Sequence, residues 1–190
     1  MSKERKEERI AVFIDGSNLY YKLRSKELGF KNLNKFNYKG LSEFLARERK
    51  VVYQGYYVGV VRVEKGNKKG EELRREQQRL FAHIESKVQG FTIKRGYIMQ
   101  NNGAYHEKGV DVELAVDLLV GAYENLYDSA ILISSDTDLI PAIKKAKELG
   151  KKVEYIGFSN QPSFALQRHA SLSKLLSKED IDIFEHKTLV

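Results

Sequence analysis

Cysteine is absent from this sequence of 190 residues, and histidine is scarce. Without cysteine the chain can form neither disulfides nor thiolate metal sites, and it has no cysteine nucleophile. A histidine-rich zinc site is also disfavoured, because the four histidines are scattered at positions 83, 106, 169 and 186. Any metal ion would therefore have to be bound by oxygen ligands.

Long apolar runs are lacking as well. No stretch approaches the roughly 18 consecutive apolar residues of a membrane-spanning helix, and the first residues are charged rather than typical of a signal peptide. We therefore expect a cytoplasmic protein with no membrane partner. The length and the composition, with 42% hydrophobic and 31% charged residues, indicate one globular domain. We expect it to cover residues 9–176, where we find no internal repeat or linker, between a charged N-terminal tail (residues 1–8) and a C-terminal tail (residues 177–190).

Positive charge is in excess, with 33 Lys and Arg against 26 Asp and Glu and a formal net charge of +7. This balance favours an anionic partner, and nucleic acid is the first candidate. A homodimer is a further candidate, because Tyr53, Tyr56 and Tyr57 lie on one predicted strand and could serve an interface. Tyrosines in such strands more often belong to the core.

Two short apolar runs, residues 10–14 and 130–133, end in acidic residues. Each run is typical of a strand buried on both faces of a parallel sheet. The residues after the first run are Asp15, Gly16, Ser17 and Asn18, and those after the second are Ser134, Ser135, Asp136, Thr137 and Asp138. One carboxylate is enough to cap the helix that follows a strand. A second acid two residues away is repelled by the first unless a cation or a basic group lies between them.

A third acidic group lies on the helix predicted over residues 110–123, which is apolar nearly all round and should be buried on most sides. Asp111, Glu113 and Asp117 interrupt it. An acid in the first turn suits the helix dipole, which is an adequate explanation for Asp111 but not for Asp117, more than a turn inside.

The alternation of strands and helices predicts an α/β fold, a Rossmann-like three-layer arrangement with a mainly parallel sheet. The other predicted elements are strands over residues 51–61, 91–100 and 153–156, helices over residues 17–28, 37–47, 71–88 and 139–149, a loop over residues 66–70, a hairpin turn over residues 101–103 and a helical region over residues 162–176.

The acids can meet in such a fold, because neighbouring parallel strands end at one edge of the sheet. Two like charges about 4 Å apart repel by about 4 kcal/mol at an effective dielectric constant of roughly 20. A divalent cation would remove this repulsion, and carboxylate and water ligands suit Mg²⁺ or Mn²⁺. The sequence leaves open whether one or two ions bind.

Three motifs resemble the signatures of the NYN domain family, which includes the bacterial LabA-like or DUF88 proteins and has a PIN-like nuclease fold. They are Phe-Ile-Asp-Gly-Ser-Asn (13–18), Lys-Gly-Val-Asp with Leu-Ala-Val-Asp (108–117) and Ile-Ser-Ser-Asp-Thr-Asp-Leu (133–139). The resemblance spans residues 9–170. It implies a metal-dependent ribonuclease in which Mg²⁺ or Mn²⁺ activates a water that hydrolyses phosphodiester bonds.

The resemblance also implies roles for individual residues. Asp15, Asp111 and Asp136 correspond to the catalytic and metal-binding acids, with Asp138 in support of both roles and Asp117 in support of metal binding. The residues expected to orient the acids or to bind substrate are Ser17, Asn18, Lys108, Ser134, Ser135 and Thr137. The chain departs from the common family pattern conservatively at Ser135, Thr137 and Leu139, and it has Ala170-Ser171 where Ala-Asp is common.

The densest basic segment covers residues 62–79. A metal cluster binds only the scissile phosphate, so a nuclease needs further cations for the flanking backbone. We expect Lys68, Arg74 and Arg75 to supply them. The alternative is a solvated helix face, because neighbouring glutamates partly offset the charge.

Two other functions remain open. One is a non-catalytic RNA-binding or regulatory module that retains the PIN-like fold. The other is a phosphohydrolase of the haloacid dehalogenase type, because Asp136-Thr137-Asp138 after an apolar strand imitates its nucleophile motif; that motif follows the first strand of its fold, whereas here only 52 residues come after it. The sequence also leaves open RNA against DNA as the substrate.

Overall fold

A single sheet organises the chain in the computed structural model, which describes residues 7–60, 67–101 and 104–185. Its strands in chain order are β1 (Arg9–Asp15), β2 (Lys50–Val60), β3 (Thr92–Asn101), β4 (Ala104–Lys108), β5 (Ser129–Ile133), β6 (Lys152–Phe158) and β7 (Leu172–Leu176). They lie in the order β4-β3-β2-β1-β5-β6-β7. Within the described residues only β4 runs antiparallel to its neighbour, and every other adjacent pair is parallel.

Seven α-helices cover the two faces of this sheet in the described part of the chain. They are α1 (Gly16–Leu23), α2 (Tyr38–Ala46), α3 (Lys68–Ile84), α4 (Val110–Tyr123), α5 (Ile140–Glu148), α6 (Phe164–His169) and α7 (Lys178–Asp182). None of the helices among the described residues is long and apolar enough to span a bilayer. The predicted Rossmann-like, three-layer α/β fold with a mainly parallel sheet is confirmed.

The two central strands are buried on both faces, which explains their unbroken apolar sequences. Along β1, Ile10, Val12 and Ile14 enter one core, with α1, α2, α3 and α7. Ala11 and Phe13 enter the other core, with α4, α5 and α6. This alternation follows from the two-residue period of a strand. The same alternation holds in β5.

The prediction of a helical region over residues 162–176 is wrong for the second half of that region. The helix is limited to α6, and β7 follows it as an edge strand paired in parallel with β6. The reason is non-local, because β7 supplies partners for the backbone groups on the free side of β6.

The C-terminal segment is also more ordered than predicted. Ser177 begins α7 with a capping box that involves Asp180. Ile181 and Phe184 are buried in the core, and Lys31 forms ion pairs with Asp182 and Glu185. Residues 177–185 therefore pack on the domain and are not a tail.

Two smaller differences concern single helices. Helix α1 ends at Leu23, five residues before its expected end. Helix α3 begins at Lys68, inside the expected loop, because the side chain of Asn67 caps it by accepting a hydrogen bond from the Gly70 N–H. The tyrosines considered for a dimer interface belong to the core: Tyr56 and Tyr57 are fully buried, and Tyr53 packs partly buried against the second core.

Some predictions lie outside the described residues. These are residues 1–6 of the N-terminal tail, position 61 at the end of the strand predicted over residues 51–61, positions 62–66 of the basic segment, positions 102–103 of the hairpin turn and residues 186–190 at the C-terminus.

Candidate active site

The predicted acids lie around the carboxyl ends of β1 and β5, which are neighbours in the sheet with Ile14 opposite Ile133. Asp15 is the last residue of β1, and Asp136 and Asp138 follow β5. Open α/β sheets bind ligands at this edge. Because β5 is the fifth strand along the chain, the position of Asp136 disfavours the phosphohydrolase alternative.

Three of the acids form a compact group. Asp111, Asp136 and Asp138 each offer one carboxylate oxygen, and these oxygens lie within 4.8 Å of one another. Asp111 and Asp138 are exposed and Asp136 is half-buried. Three negative charges at this separation repel one another, and a set of hard oxygen donors fits a divalent cation such as Mg²⁺ or Mn²⁺.

Asp15 lies beside this group and is not one of its three members. Its Oδ1 accepts a hydrogen bond from the Asn18 N–H at 3.0 Å, which caps α1. Its Oδ2 accepts a hydrogen bond from the hydroxyl of Ser134 at 2.9 Å. The same Ser134 oxygen accepts a hydrogen bond from the backbone N–H of Asp136 at 3.0 Å. Buried Ser134 therefore links Asp15 to Asp136.

The turn after β5 is held by the acid that it carries. Asp136 Oδ1 accepts a hydrogen bond from the Asp138 N–H at 2.9 Å and caps a single 3₁₀ turn, Thr137–Leu139. Thr137 is exposed. Ser135 Oγ accepts a hydrogen bond from the Asn18 side-chain amide, which ties the turn to α1.

The exposed Lys108 ends β4 at the same edge of the sheet, three residues before Asp111. Between them Gly109 has φ +80°, a left-handed conformation that favours glycine, and it precedes the first turn of α4. This tight turn allows the exposed end of β4 and the first turn of α4 to occupy one edge.

Asp117 has partners outside the group of three. Its Oδ2 accepts a hydrogen bond from the hydroxyl of Tyr57 at 2.9 Å and lies 3.1 Å from Lys94 Nζ. The hydrogen bond to Asp117 raises the pKa of Lys94, and burial raises the pKa of Tyr57. Six residues along a helix displace Asp117 from Asp111 by about 9 Å along the axis and turn it to another face. Lys94 therefore neutralises the charge of Asp117.

A groove of about 640 Å³ opens between α1 and α3, on the opposite face of the sheet from α4. Gly16 and Ser17, directly after Asp15, are among the residues that line it. A Cβ atom on Gly16 would lie 2.7 Å from the Tyr57 carbonyl oxygen, so that only glycine fits at this contact. The groove thus adjoins the acids through the backbone of α1.

The sequence did not predict this groove or four of the residues that line it, Tyr20, Tyr21, Arg24 and Phe30. Arg79, which also lines it, is the last residue of the predicted basic segment. The adjacent tyrosines directly after the first acidic motif were the available signal. The side chains of Lys68, Arg74 and Arg75 are exposed on α3. They are not among the residues that line the groove.

Comparison with known proteins identifies a family and a shared fold. A family model described as the NYN domain matches residues 9–175. Over 61 residues the chain is 46% identical to an uncharacterized protein from Methanocaldococcus jannaschii; the match covers 32% of this chain and 25% of that protein, so it spans a quarter of the relative's length.

Two solved structures are similar. A protein of unknown function from Vibrio parahaemolyticus superposes with a TM-score of 0.64 and 22% identity, covering 94% of this chain and 98% of that one, which shows a shared fold. A structure of T5 5′-exonuclease with bound zinc ions has a TM-score of 0.49 and 16% identity, covering 85% of this chain and 60% of that one.

Proposed function

Because this chain belongs to the NYN domain family, we propose that it is a metal-dependent ribonuclease that hydrolyses phosphodiester bonds. The observation that carries the proposal is the group formed by Asp111, Asp136 and Asp138 at the carboxyl edge of the sheet. Three carboxylates whose oxygens lie this close repel one another unless a cation compensates their negative charge.

These three acids would hold Mg²⁺ or Mn²⁺, and Asp15 would assist from its position beside them. When bound, such an ion supplies positive charge for the phosphate and lowers the pKa of water. The chain's own residues supply the positioning: Ser134 fixes the orientation of Asp15, and its bond to the Asp136 N–H fixes the start of the 3₁₀ turn. No covalent intermediate with the protein is required.

The remaining predicted residues would bind the substrate backbone. Lys108 is exposed at the same edge, where a cation can contact a phosphate next to the scissile one. Asn18 and Ser135 are hydrogen-bonded to each other and would orient the neighbouring acids. Ser17 and Thr137 offer hydroxyl groups close to Asp15 and Asp136 in the chain. The net charge of +7 favours a polyanion, RNA and DNA alike. The choice of RNA rests on the resemblance of the three acidic motifs to the NYN domain family.

The test is cleavage of end-labelled single-stranded RNA and DNA by the purified protein with Mg²⁺, with Mn²⁺ and with EDTA. We expect RNA cleavage only with a divalent ion and its loss in Asp136→Asn and in Asp111→Asn. The matched control is Glu124→Gln, which replaces an exposed acid at the other end of α4. Binding of RNA without cleavage under every metal condition would instead support a non-catalytic RNA-binding module.

A further inference from the structure

The groove between α1 and α3 has aromatic side chains open to solvent. Tyr21 is 74% exposed, Phe30 63% and Tyr20 37%, and all three line the groove. The rings of Tyr20 and Tyr21 contact each other edge to face, with centroids 5.6 Å apart. Several large apolar rings exposed around one concave surface are typical of a binding site.

The charged groups of the groove favour an anion. Arg24 and Arg79 line it and are exposed, and Glu76 is the one acid among the described residues that line it. Lys31 also lines it, but its ammonium group is committed to Asp182 and Glu185. An exposed guanidinium group can both pair with a phosphate and stack on a base.

Helix α1 separates the groove from the acids and presents a different face to each. Residues 17, 20, 21 and 24 line the groove, and this i, i+3, i+4, i+7 spacing is one face of a helix. On another face Asn18 contacts Ser135 in the turn that carries Asp136, and Lys22 contacts Gln161. Gly16 and Ser17 line the groove directly after Asp15, which gives a nucleic-acid strand bound at the acids a route past the start of α1 into the groove.

We propose that this groove binds unpaired bases of a nucleic-acid strand next to the acidic site, with the bases stacked on Tyr21 and Phe30 and the phosphates paired with Arg24 and Arg79. The inference rests on the proposed function for the location of the scissile phosphate. Stacking on aromatic side chains requires unpaired bases, because the bases of a duplex are already stacked on one another. The two guanidinium groups favour a polyanionic strand over a peptide.

Binding is tested in EDTA, so that cleavage does not interfere, with a fluorescent oligouridylate of about 12 nucleotides and a matched RNA duplex. The variant Tyr21→Leu/Phe30→Leu removes both rings and keeps apolar side chains. We expect it to bind the single strand at least about 30-fold more weakly, because two stacked bases lose their aromatic partners. Its affinity for the duplex should equal that of the parent.

The matched control is Tyr123→Leu, which removes a 61% exposed tyrosine from α4 on the other face of the sheet and should leave binding unchanged. Tyr21→Phe keeps a ring and should bind like the parent, and Tyr21→Leu alone provides a second test at a highly exposed position. Equal single-strand affinities of the parent and the double variant would overturn the proposal. An equal loss for the duplex, or no single-strand binding by the parent, would also overturn it.

The two proposals fail separately in these measurements. If the parent binds the single strand through the groove but never cleaves it, the ribonuclease proposal is wrong and the groove proposal stands. If the parent cleaves RNA and Tyr21→Leu/Phe30→Leu binds the single strand as the parent does, only the groove proposal is wrong.

Discussion

The hydroxyl of Ser134 donates a hydrogen bond to Oδ2 of Asp15 across the junction between β5 and β1. Ser134 is buried, and the same oxygen accepts a hydrogen bond from the Asp136 N–H. One small side chain thus orients an acid on each of two adjacent strand ends. Groups of this kind, which contact the acids and not the substrate, often affect activity strongly.

Ser134→Ala should lower metal-dependent cleavage by about 10- to 100-fold, because Asp15 and the Asp136 N–H both lose a partner. The concentration of Mn²⁺ needed for half-maximal cleavage should rise with it. Ser159→Ala is the control, since Ser159 is exposed just after β6. Unaltered metal titration of Ser134→Ala would contradict the positioning role.

Divalent ions should raise the melting temperature of the protein, because an ion that binds only the folded state stabilises it by about 2.7 kcal/mol at 100 times its dissociation constant. Thermal denaturation with increasing Mg²⁺ or Mn²⁺ measures this gain. Asp136→Asn should lose the gain and Glu124→Gln should keep it. A gain of the same size in Asp136→Asn would exclude Asp136 as a ligand.

Replacement of Lys68, Arg74 and Arg75 by alanine should weaken RNA binding and flatten its dependence on salt. Each lost phosphate contact reduces the slope of log K against log salt by about 0.7 for a single strand. Metal dependence should be unchanged. The control replaces Lys144, Lys145 and Lys147, exposed lysines of α5 on the other face. A parental slope in the first variant would show that this part of α3 is only a solvated face.

The ion pair between Arg9 and Asp128 should make stability depend on pH in the acid range. Hydrogen bonds from Arg9 lower the pKa of Asp128 to about 2, below its ordinary value of 3.8. The folded state therefore stabilises the ionised form of Asp128 more than the unfolded state does. The stabilisation is complete above about pH 4 and is lost as the pH falls through 2.

A pKa difference of this size corresponds to about 2.4 kcal/mol, and partial exposure of both side chains reduces the expected contribution to about 1 kcal/mol. Urea unfolding at pH 6 and pH 2 should show that the parent loses about this much more stability than Asp128→Asn. The same loss in both proteins would contradict the assignment.

The sequence predicts best the parts of the fold that depend on neighbouring residues. The apolar runs of β1 and β5 are recognisable because both faces of each strand are buried, and the acids after them follow at once in the chain. The helix that carries Asp111 was predicted at its observed bounds, 110–123.

Features that depend on distant segments were missed. The strand β7 exists because β6 offers a free edge. The groove is formed by residues 16–34 of one segment and 73–81 of another, together with β2, and no local pattern connects them. Asp117 belongs to the same sequence motif as Asp111, six residues after it, but it pairs with Lys94 of β3, which only the folded structure brings close.

The close packing of Gly16 has a consequence for the products of cleavage. Asp15 lies beside the group of acids, and Gly16, which lines the groove, packs against β2 with no room for even one additional carbon atom. The distance from the scissile bond to the base stacked on Tyr21 is then set by helix α1, which begins at Gly16 and carries Tyr21. The two proposals together predict that cleavage occurs at a fixed distance from the bound base. The products from a long unpaired strand should then end at a constant number of nucleotides from the base held in the groove.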